Sequence, residues 1–490
     1  MRFEYAAAPE ARSLVALRDS YGLFIGGSFA GGASVFKTIS PATEEVLAEV
    51  THGATEDVDR AVLAARQAYE RVWSAMPGRA RSRYLFTIAR LIKERAEELA
   101  VLDTLDGGRP IRQTRDVDVP LAAAHFFYHA GWADKLAYAG FGSAAAVPAR
   151  PLGVVGQVIS WSSPLLMLAW QIAPALACGN TVILKPSEAT PLTALAFAEI
   201  CRQADLPPGV VNVVTGDGST GQLVAGHPGL DKVSFTGSAE VGKEIARACA
   251  LSGKPLTLKL GGTAVNIVCA DADIEAAAGA IVAGVFVDQG HVGCAGSRVL
   301  VAASARDALV AAIRRRMGAL TLGDPLDVNT DVGAVVSRAQ LDKITDLAAS
   351  GEAEGARRWS APCLLPDRGF WFPPAMFTDV SDAHGIGSAE LAGPMLTVST
   401  FATPAEAVER AGGTRYGLAA GVWTERGSLA GWLASRLPAG VIWTTAFNRF
   451  DPTAPFGGFR EAGLGREGGR HGLEAYLYSS AEDIAGGLDV

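Results

Sequence analysis

Apolar positions along this chain follow two different rhythms. Between residues 55 and 139 they recur at helical spacing. Thr55-Glu56-Asp57-Val58 reads as a helix start with acids in its first turn, and Val58, Val62, Ala65 and Tyr69 then share one face. Arg83 to Leu102 repeats the pattern through Leu85, Ile88, Leu91 and Ile92, which predicts one long amphipathic helix there. From residue 153 the rhythm shortens. Strand-like runs at Gly153–Ile159, Thr181–Leu184, Val210–Val214, Val233–Phe235 and Leu256–Leu260 alternate with helical stretches. Those stretches are Leu165–Ala177, Leu192–Ala204, Gly218–Ala225 and Val241–Ala250. Such alternation predicts βαβ units and a parallel sheet, and it returns after residue 264. Two α/β domains with a smaller appendage are expected.

The longest uncharged apolar stretch, Ala276 to Val287, is too short for a membrane span of about 20 residues and reads as a buried helix. With 49% hydrophobic and 19% charged residues over 490 positions, the composition is that of a globular protein. The net charge of −8 argues against a nucleic-acid partner, which needs a basic surface. Met1 to Ser20 lacks the apolar core of a signal peptide. Six cysteines stand at 178, 201, 249, 269, 294 and 363, with no CxxC pair, and histidines number seven. Neither a disulfide framework nor a metal site is expected, and a cytoplasmic setting fits.

Two local patterns carry candidate chemistry. Phe235-Thr236-Gly237-Ser238-Ala239-Glu240-Val241-Gly242 reads as a strand, a glycine-bearing turn and a helix start, where free N–H groups suit an anion such as a pyrophosphate. A plain β–α turn would look the same. Lys185-Pro186-Ser187-Glu188 comes directly after the strand Thr181–Leu184. Ligands of open α/β sheets bind beyond that end of a strand, although a charged loop is the simpler reading of this segment alone.

Taken together with Ala130-Gly131-Trp132-Ala133-Asp134-Lys135, Ala177–Glu188, Gly209–Gly216, Leu322–Leu326, Tyr416–Trp423 and Pro455–Arg460, these segments resemble the aldehyde dehydrogenase superfamily over nearly the whole chain. The resemblance implies an α/β fold. A Rossmann-type dinucleotide-binding domain would cover 1–128 and 150–261, and a catalytic-type domain 262–460. An oligomerisation appendage would cover 129–149, with a C-terminal arm at 461–490. The short Ala/Gly-rich stretch Gly140–Pro151 and the tail after Ser480 favour a dimer over a tetramer.

The resemblance also implies a mechanism. A cysteine thiolate attacks an aldehyde, an asparagine and a backbone N–H hold the oxyanion, and hydride passes to a nicotinamide. A glutamate then activates water. At all three side-chain positions this sequence departs from the pattern. The segment Gln289-Gly290-His291-Val292-Gly293-Cys294-Ala295-Gly296-Ser297-Arg298 aligns without a gap and places Gly293 at the nucleophile position. Cys294 stands one residue later and is expected to be a packed cysteine pointing elsewhere. Lys259, in Lys259-Leu260-Gly261-Gly262, occupies the base position; a solvated or salt-bridged lysine is expected. Ser162, in Ser160-Trp161-Ser162-Ser163-Pro164, occupies the oxyanion position.

The cofactor positions are largely retained. Trp161, Lys185, Ser187, Glu188, Gly237, Ser238, Gly242 and Glu390 match, while Ala392 stands where an aromatic is common. A carboxylate at Glu188 would accept from both ribose hydroxyls and repel a 2′-phosphate, which favours NAD over NADP. The leading expectation is an NAD-binding family member without the usual thiol chemistry, taking an aldehyde-like small molecule. It would form a homodimer or serve as a subunit beside an active partner. The alternatives are altered chemistry through Lys259, His291 or Cys294, and an ordinary aldehyde dehydrogenase. The triple change Gly293→Cys, Lys259→Glu, Ser162→Asn is expected to restore far more oxidation than Gly293→Cys alone.

Overall fold

The computed structural model describes residues 10–137 and 150–478. Nearly all of Gly140–Pro151 and the tail after Ser480 therefore lie outside the described residues.

The predicted strands form the middle of an eight-stranded sheet. Its order is Gly463–Leu464, Leu256–Leu260, Lys232–Gly237, Val154–Val158, Thr181–Lys185, Val211–Val213, Leu23–Ile25, Ser28–Ala30. The five inner strands are mutually parallel, and the edge strands run antiparallel. Val154–Val158 and Thr181–Lys185 are buried at every position, because helices cover both faces of a parallel sheet. A seven-stranded sheet comes next, ordered Arg357–Ser360, Ala375–Thr378, Met395–Phe401, Arg298–Ala302, Val265–Val268, Ala419–Trp423, Val441–Thr444. Gly261 to Ala264 connect the two sheets. The two-residue strand Leu477–Tyr478 pairs with Arg150–Pro151.

The single long helix expected over Arg83–Leu102 is two helices, Gly78–Glu94 and Ala96–Gly107. Arg95 leaves helical geometry at φ −104°, ψ 22° and folds its guanidinium onto Glu98, with bonds of 2.9 and 2.7 Å. The break has a packing reason. Gly78–Glu94 buries one face, whereas Leu99, Ala100, Val101, Leu102 and Asp103 are consecutive and all buried. One straight amphipathic helix could not satisfy both patterns.

The helix Pro164–Cys178 is buried along its whole length and runs between the first sheet and the helix Val119–Ala130. Pro164 at its first position and Gly179 at φ 96° just past its end set its limits. The strand order reverses between Val154–Val158 and Lys232–Gly237, which are direct neighbours although Thr181–Lys185 and Val211–Val213 intervene in sequence. At such a switch point the connections leave in opposite directions and open a crevice beyond the carboxyl ends of the strands. Ser160–Ser163 and Gly237–Ser238 leave those two ends and line one cavity of about 600 Å³.

Candidate functional site

The turn after the strand Lys232–Gly237 and the end of the strand Thr181–Lys185 carry the positions expected to hold a dinucleotide. Ser238 caps the helix Ala239–Ala250, and its hydroxyl accepts from the Val241 N–H at 3.3 Å. Gly242 lets that helix close on the sheet, since a Cβ there would meet Leu260 Cδ2 at 2.5 Å. Lys185 ends its strand almost fully buried, and its Nζ donates to Glu188 Oε2 at 3.2 Å. Burial lowers the Lys185 amine below its ordinary value. Ser187 is buried beside them, and Glu188 stays half exposed at the rim.

Glu390 enters from the second half of the chain. Its carboxyl lies over Gly261, where a Cβ would meet Oε1 at 1.6 Å. Burial pushes this carboxyl up to about 7, and it has no hydrogen-bond partner among the described residues. The positive φ of 41° at Ala392 turns the chain two residues later, and Gln340 Nε2 donates to the Ala392 carbonyl at 2.9 Å.

The loop carrying Gly293 is held from below. Arg109 Nε donates to Asp288 Oδ1 at 2.8 Å, and the same guanidinium pairs with Asp103 and Asp118. Gln289 Nε2 donates to the carbonyls of Gly108 and Ala334 at 2.8 and 2.9 Å. At Gly290, φ is 71° and an added Cβ would meet the Gly393 carbonyl oxygen at 1.9 Å, so only glycine fits. These fixtures set the direction in which Gly293 and Cys294 face. A Cβ built at Gly293 meets nothing within 4 Å and projects into the cavity. Cys294, next in line, is 3% exposed, and its Sγ lies 3.5 Å from Asn448 Oδ1. Burial pushes that thiol up to about 12.

Lys259 sits in a buried ion pair. Its Nζ is 3.0 Å from Glu467 Oε2, 3.1 Å from Met167 Sδ and 4.1 Å from the centre of the Trp170 ring. Glu467 also accepts from Gln171 Nε2 at 3.2 Å. Ser162 Oγ lies 3.1 Å from Ser160 Oγ. Trp161 meets His291 edge to face at 4.6 Å, and burial pulls the His291 imidazole down to about 3, which keeps it neutral. Trp170, Phe450 and Phe456 form an aromatic cluster at the far wall, with ring centres 5.5 to 5.9 Å apart.

The cavity thus brings together Trp161, Ser162, Gly237, Ser238, Lys259, Gly293, Cys294 and Glu390. Lys185, Ser187, Glu188 and Gly242 flank it without lining it. Sequence alone does not single out Glu467, Asn448 or Arg109. Glu467 lies in a Gly-Arg-Glu run far downstream of Lys259, and no spacing rule connects the two. Among the described residues, no group of histidine, cysteine and acidic side chains could hold a metal ion, and no helix is long and apolar enough to cross a membrane.

A doubly wound sheet with a helix N-terminus at its switch point, facing a second α/β half across one cavity, defines a dinucleotide-type enzyme scaffold. The chain matches the family model "Aldehyde dehydrogenase family" over residues 29–481 and belongs to that family. It is 40% identical to aldehyde dehydrogenase family 2 member B4, mitochondrial, of Arabidopsis thaliana, over 94% of this chain and 87% of that one. It is 39% identical to the mitochondrial benzaldehyde dehydrogenase of Antirrhinum majus, over 94% and 88%. Among solved structures, an NAD+ complex of aldehyde dehydrogenase from Bacillus cereus superposes with a TM-score of 0.92 at 37% identity, covering 96% of this chain and 97% of that one. A mutant of the P. syringae indole-3-acetaldehyde dehydrogenase AldA, in complex with NAD+ and IAA, gives 0.91 at 37% identity over 94% and 96%.

Proposed function

We propose that this aldehyde dehydrogenase family member binds NAD at the switch-point crevice and does not oxidise aldehydes through an enzyme thiol. The observation that carries the second half is Gly293: its position faces open cavity, and it offers no nucleophile. The cofactor half rests on fit. The capped helix N-terminus at Ser238 suits a pyrophosphate. The half-exposed Glu188 carboxylate suits two ribose hydroxyls and opposes a 2′-phosphate. The unpartnered Glu390 carboxyl suits the second ribose. When bound, NAD supplies a two-electron hydride acceptor.

The protein's own residues fall short of the remaining roles. Cys294 is neither exposed nor ionised at neutral pH, and thiolate is the reactive form. Lys259 is tied to Glu467, with Nζ 3.0 Å from Oε2, so its amine is engaged by a carboxylate within the wall. Ser162 brings a shorter donor than an amide to the oxyanion position, and losing one such donor costs about 10²–10³ in rate. Calorimetry with NAD and NADP tests the reading. NAD is expected to bind more tightly than NADP, and absence of binding by either at millimolar concentration contradicts it. A homodimer is the proposed assembly, checked by sedimentation.

A further inference from the structure

The geometry points to a substrate that brings its own sulfur: we infer that the cavity beside Gly293 takes a thiohemiacetal, the adduct of an aldehyde with a small-molecule thiol. This deepens the proposed function and rests on its cofactor half.

Three observations converge on it. The first is the supply of thiols. Cys294 lines the cavity but is buried, with its Sγ 3.5 Å from Asn448 Oδ1, and none of the other five cysteines lines it. The second is room. An added Cβ at Gly293 meets nothing within 4 Å, so a ligand atom can occupy the space that a side chain there would fill. The cavity volume of about 600 Å³ lies within the range of small-molecule sites, about 300–1,000 Å³. Its walls extend from Gly237 and Glu390 to the aromatic cluster of Trp170, Phe450 and Phe456. An adduct seated with its sulfur at Gly293 can rest an apolar aldehyde chain on those rings.

The third is the fate of an acyl group. In the scheme the resemblance implies, water releases the acyl-enzyme, and the group at the water-activating position is Lys259. Its amine is engaged within the wall by the Glu467 carboxylate, Met167 Sδ and the Trp170 face. A thioester formed on a diffusible thiol needs no such release. The missing nucleophile and the missing base are therefore one change rather than two.

Atoms and electrons balance in a single step. The thiohemiacetal R–CH(OH)–SR′ loses its C–H hydrogen with both bonding electrons to an oxidised nicotinamide. Its O–H bond breaks, the electron pair closes the C=O bond, and the proton leaves through Ser162 and Ser160 to water. These two hydroxyls are 3.1 Å apart, half-buried, and both line the cavity. The carbon is oxidised, the nicotinamide is reduced, and the product is the thioester R–C(O)–SR′. No covalent bond to the protein forms or breaks.

The test has two arms. Phenethyl hydroxyethyl sulfide, a stable mimic of the adduct, is titrated calorimetrically into the protein without cofactor. Wild type is expected to bind it, and Gly293→Val, which fills the gap, to weaken binding by about tenfold or more. Equal binding by the two overturns the sulfur seat. In the second arm, phenylacetaldehyde and NAD are supplied with mercaptoethanol, glutathione or coenzyme A, or without thiol, and NADH and thioester are both measured. NADH formed only with thiol, in step with the adduct concentration and matched by thioester, supports the inference, and the preferred thiol identifies the source. No NADH with any thiol, from protein shown to bind NAD, overturns it. Equal NADH without thiol overturns the proposed function itself.

Discussion

At the scale of single residues, two side chains carry distinct expectations. Cys294 is 3% exposed with its thiol pushed up to about 12, so almost no thiolate forms near pH 8. Iodoacetamide at pH 8 is expected to leave it unmodified in the native protein and to alkylate it after denaturation, read by mass spectrometry of the peptide. Rapid native labelling would revive it as a nucleophile. Glu390 is raised to about 7 by burial, so below that pH it is mostly protonated. Ribose hydroxyls donate to the carboxylate, so NAD binding favours the ionised form and releases a proton. Affinity is therefore expected to rise as pH climbs towards about 7 and to level off above it, by up to about tenfold per pH unit. Glu390→Gln should flatten that slope, as measured by calorimetry in buffers of different ionisation enthalpy.

At the scale of elements, Lys259 on the strand Leu256–Leu260 is tied to Glu467 ahead of the helix Gly469–Glu474. Lys259→Glu sets two buried carboxylates against each other. Breaking a buried pair costs about 3–5 kcal/mol, so urea unfolding is expected to shift by an amount of that order. The swap Lys259→Glu with Glu467→Lys should recover more than half of the loss. A single variant as stable as wild type would show that the pair is not coupled. The triple change that sequence alone suggests for restoring oxidation is therefore incomplete, because it leaves Glu467 without its cation. Residues acting as a unit are strongly non-additive.

At the scale of the whole molecule, Arg109 joins Asp103, Asp118 and Asp288, and so ties two helical segments of the first half to the loop that presents Gly293. Arg109→Met leaves three buried carboxylates without a counter-charge. It is expected to destabilise by about 3–5 kcal/mol and to weaken ligand binding in the cavity, checked by urea unfolding and calorimetry. An unchanged midpoint would contradict this role. Arg109 also marks the limit of what the sequence shows. The inner strands are legible because fully buried parallel strands read as short apolar runs, whereas the candidate cofactor positions come from the family resemblance and not from any spacing rule. The break at Arg95 is not legible, since the helical period continues across it. The pairs Lys259–Glu467 and Arg109–Asp288 join residues far apart in the chain, and only the folded topology brings them together.

Whether an enzyme thiol acts here is decided by NADH formation in the wild-type protein. The assay uses NAD with short aliphatic and aromatic aldehydes in thiol-free buffer. Neither a burst nor steady turnover is expected, although NAD binds to the same preparation. Turnover in the range of about 1–10³ s⁻¹ common to enzymes would contradict the absence of thiol chemistry.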